Sequence, residues 1–323
     1  MTEDEIVAGI EALLSRGHRR ESRSRVLLGI GDDAAVWQPS RSHRSVISTD
    51  MLVEGVHFTR AAMSLEDAGW RAMVANLSDL AAMGARPVLA TVALGVAHKN
   101  AAGDTLELYR GVAQAADRYG IAVAGGDLTR SEALTISITV VGEVRPSNVK
   151  TRSGGNPGDV LAVTGELGAA RAGLEGAPDA LEAFRRPRAR LAEGRFLAAS
   201  GNVTAMMDSS DGLSTDVSRL CAASGCGARV ENVPVAPAAL SFARGRGEDP
   251  ECFALAGGED FELLAAIRRR AFAYLAGRFA KRFGRPLLRI GALEKEEGVR
   301  RGGQPLERSG WEHFGEKGTR LGG

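Results

Sequence analysis

Five acidic clusters each follow an apolar, strand-like run. They are Asp32-Asp33 in LLGIGDDAAV, Asp50 in SVISTDMLVEG, Asp127 in IAVAGGDLT, Asp208 and Asp211 in TAMMDSSDGLSTD, and Glu259-Asp260 in LAGGEDFELL. A sixth carboxylate, Asp79, interrupts an apolar helical stretch, ANLSDLAAMGA. One aspartate after a strand is a turn or helix-cap residue as readily as a ligand. Repetition points further, because carboxylates gathered in one site repel each other unless a cation joins them. Oxygen ligands with almost no His or Cys among them suit a hard ion, Mg²⁺ before Zn²⁺.

Phosphoryl transfer is the chemistry such a set would serve. It rests on positioning and charge neutralisation, usually through Mg²⁺ on the phosphates. A triphosphate meeting a second phosphorylated molecule concentrates negative charge, and ions held by Asp33, Asp50, Asp79, Asp127 and Asp208 would offset it. The common cradles are missing: there is no GxxxxGK[ST] loop, no complete GxGxxG, and no HRD…DFG pair. Glycines before the acids (Gly31, Gly125-Gly126, Gly257-Gly258) let backbone approach a ligand, or simply turn. Arg152, in a glycine-rich loop, can clamp phosphate oxygens. Ser210-Asp211-Gly212 opens a helix whose first amides can receive an anion, with Asp211 equally an ordinary first-turn acid.

Elements must position these groups. Residues 3–14 read as an amphipathic helix with Ile6, Ile10 and Leu13-Leu14 on one face. Strands follow at 26–30 and 45–48. Ser64 caps a helix reaching about Met83, where Gly84 takes the left-handed terminal position and Pro87 prevents continuation. Asn76 and Asp79 share one face of that helix, a costly pair if buried without partners, and a metal or water cluster or plain solvation would satisfy them. A strand at 88–96, a helix at 105–119, a strand at 121–124 ending in Gly125-Gly126-Asp127, and an alternating strand at 134–144 complete a first α/β unit. The Pro-, Gly- and Ser-rich stretch 145–159 marks a boundary. Beyond it come strands at 160–164, 205–207, 261–267 and 287–290, with helices near 168–174, 210–223 and 270–283. The expectation is two domains, 1–146 and 147–323, each mixing α and β.

Composition bounds the rest. The chain has 323 residues, is 44% hydrophobic and 25% charged, and carries a net charge of +1. That balance gives no case for nucleic acid or an anionic membrane as partner. No apolar run approaches the roughly 18–20 residues of a membrane span. The acidic start MTEDEIVAGIEALL lacks the basic region of a signal peptide, so a cytoplasmic location is expected. Cys221, Cys226 and Cys252 have no framework spacing and read as core or loop thiols.

Seven collinear strings resemble the thiamine-monophosphate kinases: GIGDDAAV (29–36), STDMLVEGVHF (48–58), NLSDLAAMGARP (76–87), GGD (125–127), TRSGGNPGD (151–159), DSSDGL (208–213) and GGEDFEL (257–263). The resemblance spans nearly the whole chain. It implies the two-domain fold of the aminoimidazole ribonucleotide synthetase superfamily, with a mixed N-terminal sheet that pairs in a homodimer and a C-terminal α/β domain that completes the active site. It implies transfer of the γ-phosphoryl of ATP to thiamine monophosphate with several Mg²⁺ ions. Asp33, Ser48, Thr49, Asp50, Asp79, Asp127 and Asp208 are then metal ligands, with Asp211 binding a further ion. Ser210, Gly126, Asp127 and Arg152 lie at the nucleotide, and Tyr109 at the adenine. His57, Glu259 and Trp311 contact the thiamine phosphate. The family usually reads IDLSDG or IDISDG where this chain has MDSSDG, so Ser209 replaces an apolar residue at a strand-packing position.

Two other readings compete. One is a sister enzyme using the same ATP face on another substrate, although no Cys precedes 221 to serve as the reactive residue of a selenophosphate synthetase. The other is a non-catalytic nucleotide-binding regulator, against which the retention of every expected acid argues.

Overall fold

The computed structural model describes residues 2–15, 25–30, 33–97 and 100–310. Two compact units emerge, whose described residues fall within Met1–Leu80 and Arg86–Arg145 for the first, and Ala81–Ala85 and Pro146–Gly318 for the second. Both mix helices and sheet.

In the first unit, α1 (Glu3–Ser15) buries Ile6 and Ile10. A short antiparallel hairpin follows, β1 (Val26–Leu28) with β2 (Val36–Trp37), and then the long strand β3 (Arg44–Val53). Helix α2 (Leu65–Ala82) starts where Ser64 Oγ accepts the Asp67 amide at 3.1 Å, with Glu66 and Asp67 in its first turn. Gly84, at φ 71°, stops it, and β4 (Arg86–Val96) begins at once. Helix α3 (Ala101–Tyr119), β5 (Ala122–Arg130) and β6 (Thr135–Val144) complete the unit. The main sheet runs β3-β6-β4-β5, with only β4 and β5 parallel. Ala90, Val92 and Leu94 of β4 and Ile136, Ile138 and Val140 of β6 are fully buried or nearly so, every second residue, as one covered sheet face requires.

The second unit holds β7 (Val160–Val163), α4 (Ala169–Leu174), α5 (Leu181–Arg185), α6 (Leu191–Ala199), β8 (Val203–Ser209) and α7 (Leu213–Ser224). After these come β9 (Gly227–Val230), α8 (Pro237–Gly245), α9 (Pro250–Ala256), β10 (Glu262–Ile267), α10 (Arg269–Phe283), β11 (Leu288–Glu294), β12 (Val299–Arg301) and β13 (Gln304–Pro305). The strands order as β13-β12-β9-β11-β7-β10-β8. All of β10 is buried, consistent with its place between β7 and β8. One core cluster joins Leu213, Val217, Leu220 and Cys221 of α7 to Leu161, Val163, Leu264 and Ile290 of the sheet. Cys226 is buried in the same cluster, Cys252 is exposed, and all three thiols are free. Among the described residues no helix is long and apolar enough to cross a membrane.

Two strands differ from the sequence expectation in a way that matters for chemistry. The acids of SVISTD and IAVAGGD do not follow their strands but lie within them, because pairing continues: Asp50 is opposite Ile138, and Asp127 opposite Ala93. Hairpin strand β2, strand β9 and helices α8 and α9 were not foreseen, being too short or too small-residue-rich to show a clear period.

The hairpin is tied to the sheet by Glu143 of β6, whose side chain is 1% exposed. It accepts the Ser40 amide at 2.8 Å and pairs with Arg25 and with Arg86, the latter at 3.1 Å. Burial alone pushes this carboxyl up, but the Ser40 amide and the two guanidiniums outweigh it and hold it below the ordinary glutamate range. Its stabilising contribution is therefore complete above the unfolded value of about 4.3 and is lost as pH falls through the lower folded value. Replacing Glu143 by Gln should cost about 1–3 kcal/mol in urea unfolding at pH 7 and shrink that acid-limb dependence. An unchanged midpoint would show that the hairpin is held by its apolar contacts alone.

Candidate active site

The predicted acids of the first unit gather at two places on its sheet. The first is β3. Ser48, Thr49 and Asp50 pair with Val140, Thr139 and Ile138. Ser48 Oγ donates to Asp79 Oδ2 at 2.5 Å, and the Asp50 amide donates to Asn76 Oδ1 at 3.0 Å. Asn76 is fully buried and also donates to the Ala72 carbonyl. Each member of the polar pair on α2 thus has a hydrogen-bond partner on β3. This docking holds Asp79 beside Ser48. Thr49 Oγ1 donates to the Ile138 carbonyl and receives the Thr139 hydroxyl, both at 3.1 Å.

The second place is β5. Asp127 is exposed there, after a register shift between Ala90 and Thr91 of β4 against β5. A Cβ on Gly126 would meet the Val92 carbonyl oxygen at 1.9 Å, so its glycine is demanded by approach to its own sheet. Asp33, also exposed, lies three residues before β2. Val26, Ala35 and Trp37 of that hairpin pack on Val88, Leu89, Ala122 and Ala124, which tethers Asp33 to the β4–β5 side. One rung joins Asp50, Ile138, Val92 and Gly126. Three strand spacings separate its ends by roughly 14 Å on a flat sheet. Asp50 and Asp127 of one chain therefore belong to separate ions if they hold any.

His57 follows β3, and its Nδ1 accepts the Val53 amide at 3.0 Å, which sets the neutral tautomer with the proton on Nε2. Tyr109 is 5% exposed in α3, and burial pushes its hydroxyl up to about 12. It is buried on α3 together with Leu108 and Val112.

In the second unit the strings meet more tightly. Sheet pairing sets Leu263 opposite Asp208 and Glu262 opposite Ser209. The chain leading into β10 then lies along the chain leaving β8: the Glu259 amide donates to the Ser210 carbonyl at 2.7 Å, and the Phe261 amide to the Ser209 carbonyl at 3.0 Å. A Cβ on Gly258 would stand 2.6 Å from the Ser210 oxygen, so this glycine too serves approach to protein. Glu259 and Phe261 hold φ of 66° and 50°, a strained left-handed pair for non-glycine residues. Asp260 is turned inward and accepts the Gly168 and Ala170 amides at 2.6 and 3.0 Å, capping α4. Burial pushes it up to about 7 against the pull of those two amides. Arg152 is exposed on a loop whose Thr151 carbonyl accepts the Met206 amide of β8, two residues before Asp208. Ser309 and Gly310 donate backbone amides to Ser214 Oγ and Thr215 Oγ1, both at 3.2 Å, in the first turn of α7. Trp311 follows directly in sequence, and it lies outside the described residues, as do Gly31 and Asp32.

Residues not foreseen as site members complete this corner. Asp216 is wholly buried in α7, on the inward face with Leu213, Val217 and Leu220, a placement its spacing already implied. Ser209 Oγ donates to Asp216 Oδ2 at 2.9 Å, so the serine that breaks the usual apolar pattern has a polar partner in the core. Burial pushes Asp216 up to about 7; Asp211 and Asp208 add to this, while the Ser209 hydroxyl and Arg219 oppose it. Arg219, one turn on, pairs with Asp211.

Among the described residues, no three His, Cys, Asp or Glu side chains stand close enough together to hold an ion by themselves. Carboxylate pairs and hydroxyls in that state fit Mg²⁺, which is usually bound through one or two carboxylates plus phosphate oxygens and water rather than in an all-protein cage. A cation already sits on Asp211, in the form of Arg219, which shows that this oxygen accepts positive charge.

Residues 31–144 match the family "AIR synthase related protein, N-terminal domain", and residues 156–284 match "AIR synthase related protein, C-terminal domain". A thiamine-monophosphate kinase of Rhodopirellula baltica is 39% identical over 294 residues, which are 88% of each chain. The crystal structure of thiamine-monophosphate kinase from Stenotrophomonas maltophilia K279a superposes with a TM-score of 0.83 at 32% identity, covering 94% of this chain and 98% of that one. AaThiL complexed with AMPPCP and TMP superposes with a TM-score of 0.76, also at 32% identity, covering 88% and 92%.

The role of Asp260 can be tested without substrate. Asp260→Ala should cost about 1–2 kcal/mol in urea unfolding through two orphaned amides, and Asp260→Asn, which keeps one acceptor, should cost less. Equal, negligible losses in both variants would remove the cap from the account.

Proposed function

The chain belongs to the thiamine-monophosphate kinase family, and on that premise we propose that it transfers the γ-phosphoryl of ATP to thiamine monophosphate, yielding thiamine diphosphate and ADP. A phosphate oxygen of the acceptor forms the new bond to the γ-phosphorus as the bond to the ADP oxygen breaks, in line and without a phosphoenzyme. The acceptor's second ionisation lies near 6, so that oxygen is largely ionised at neutral pH and a strong general base is unnecessary. This agrees with a set of groups rich in carboxylates and poor in His and Lys.

The observation that carries the reading is the clamp of 258–261 on 209–210. It brings Glu259, on the acceptor side, within one backbone hydrogen bond of Ser210, on the nucleotide side, with Asp208 and Asp211 adjacent. Asp33, Ser48, Thr49, Asp50, Asp79, Asp127, Asp208 and Asp211 are the proposed Mg²⁺ ligands. Bound with the triphosphate, the ions would neutralise phosphate charge as the bridging bond breaks. Gly126, Asp127, Arg152 and Ser210 take the nucleotide, and Tyr109 the adenine once its packing opens. His57 offers Nε2–H to the acceptor phosphate. Glu259 faces the thiazolium charge, and Trp311 stacks on the flat pyrimidine or the cation.

The functional division is 1–146 for ATP, Mg²⁺ and dimerisation, and 147–323 for completing the site. A homodimer is favoured by the edge position of β3, where Ile47 and Met51 are 68% and 53% exposed on one face. The cytoplasm is the location proposed with this activity.

An assay with ATP, Mg²⁺ and thiamine monophosphate should yield thiamine diphosphate. Changing Asp33, Asp50 or Asp127 to Asn should abolish turnover and weaken Mg²⁺-ATP binding; near-normal turnover in all three would overturn the ligand assignment. Trp311→Ala should raise the KM for thiamine monophosphate far more than that for ATP. Equal effects on both would remove Trp311 from the acceptor site.

A further inference from the structure

The start of α7 contains a cation with two carboxylates to choose between. Arg219 Nη1 contacts Asp211 Oδ2, and the same nitrogen lies 3.7 Å from Asp216 Oδ1. The two acids differ sharply. Asp211 is a quarter exposed, at the turn where β8 gives way to α7. Asp216 is fully buried; Ser209 holds its Oδ2, while its Oδ1 has no hydrogen-bond partner. A buried carboxylate oxygen left in that state is costly, and a charged donor within reach would relieve it.

We infer that Arg219 occupies the ion-binding oxygen of Asp211 until a divalent cation arrives with the nucleotide, and that it then swings onto Asp216 Oδ1. Asp216 is thus a positioning residue that acts through Arg219. Asp211 cannot serve a metal ion and a guanidinium with the same oxygen, because the two cations would repel each other at contact. Arg219 is 36% exposed and its stem is long, so a displacement of this size needs only side-chain rotation. Without Asp216, the displaced guanidinium would have no nearby acid on α7 and would compete for Asp211. The exchange gives each acid its own cation when the ion is bound, where the one guanidinium is shared between them without it. It rests on the assignment of Asp211 as an ion ligand under the function proposed above.

The test measures Mn²⁺ binding to the full chain in the presence of AMPPCP, with free Mn²⁺ read by electron paramagnetic resonance. Asp211→Asn should lose or weaken one ion. Arg219→Gln should tighten that ion about two- to fivefold, the scale of removing one partly exposed competing ion pair. Asp216→Asn should weaken it by a similar factor, and the double variant Asp216→Asn/Arg219→Gln should match Arg219→Gln alone. If Asp211→Asn loses an ion while Arg219→Gln leaves affinity unchanged or lower, the exchange is overturned and the ligand assignment stands. If Asp211→Asn changes nothing, the ligand assignment itself fails and the exchange with it. If Asp216→Asn weakens binding equally with and without Arg219, Asp216 acts directly and not through the arginine. Should Asp216→Asn not fold, Arg219→Gln and Asp211→Asn still decide the matter.

Discussion

Like charges brought together must each find a partner or be driven apart, and that constraint organises both units. Asp79 takes the Ser48 hydroxyl, Asp211 takes Arg219, and Asp216 takes the Ser209 hydroxyl. Asp260 is withdrawn inward onto two helix amides, and Glu143 is surrounded by Arg25, Arg86 and the Ser40 amide. Asp33, Asp50 and Asp127 stay exposed on the first unit.

The second unit stores strain at the same place. Left-handed backbone at Glu259 and Phe261 costs about 1–3 kcal/mol each and persists only where surroundings over-determine it. Here they do. Amides of both residues are bonded to the β8 exit, Asp260 between them caps α4, and Glu262 just beyond is held by Thr164 and by Arg190 through Nε at 3.0 Å. In this last contact Arg190 neutralises the buried Glu262 at the root of the clamp. The glycines beside the acids have a related role. Gly126 and Gly258 let the chain approach itself, which is how the acids are set at their positions.

Much of this was legible from residue types and order. Ser64 as a cap, Gly84 as a terminator, the paired face of α2 and the two-unit α/β layout follow from local rules, while the family resemblance rests on seven collinear strings. These rules are short-ranged: a cap needs three residues, a helix face needs one turn, and a glycine stop needs one backbone angle. The acids themselves announced cation and phosphate chemistry, because no apolar core would collect them.

Only the tertiary structure decided what each acid touches. Asp32 and Asp33 are neighbours, as are Glu259 and Asp260, yet adjacency says nothing of direction. In the second pair Asp260 caps a helix while the half-buried Glu259 does not share that role. Asn76 and Asp79 each find a partner on β3, some 26 to 31 residues away in sequence. Asp216 was hidden by its place on an apolar helix face, and Ser209 looked like a defect until the two met. Sequence thus determined which charges the protein must carry and the elements that carry them. The fold determined their partners, because a buried polar group is satisfied by whatever long-range packing brings within about 3 Å, and no local pattern encodes that distance.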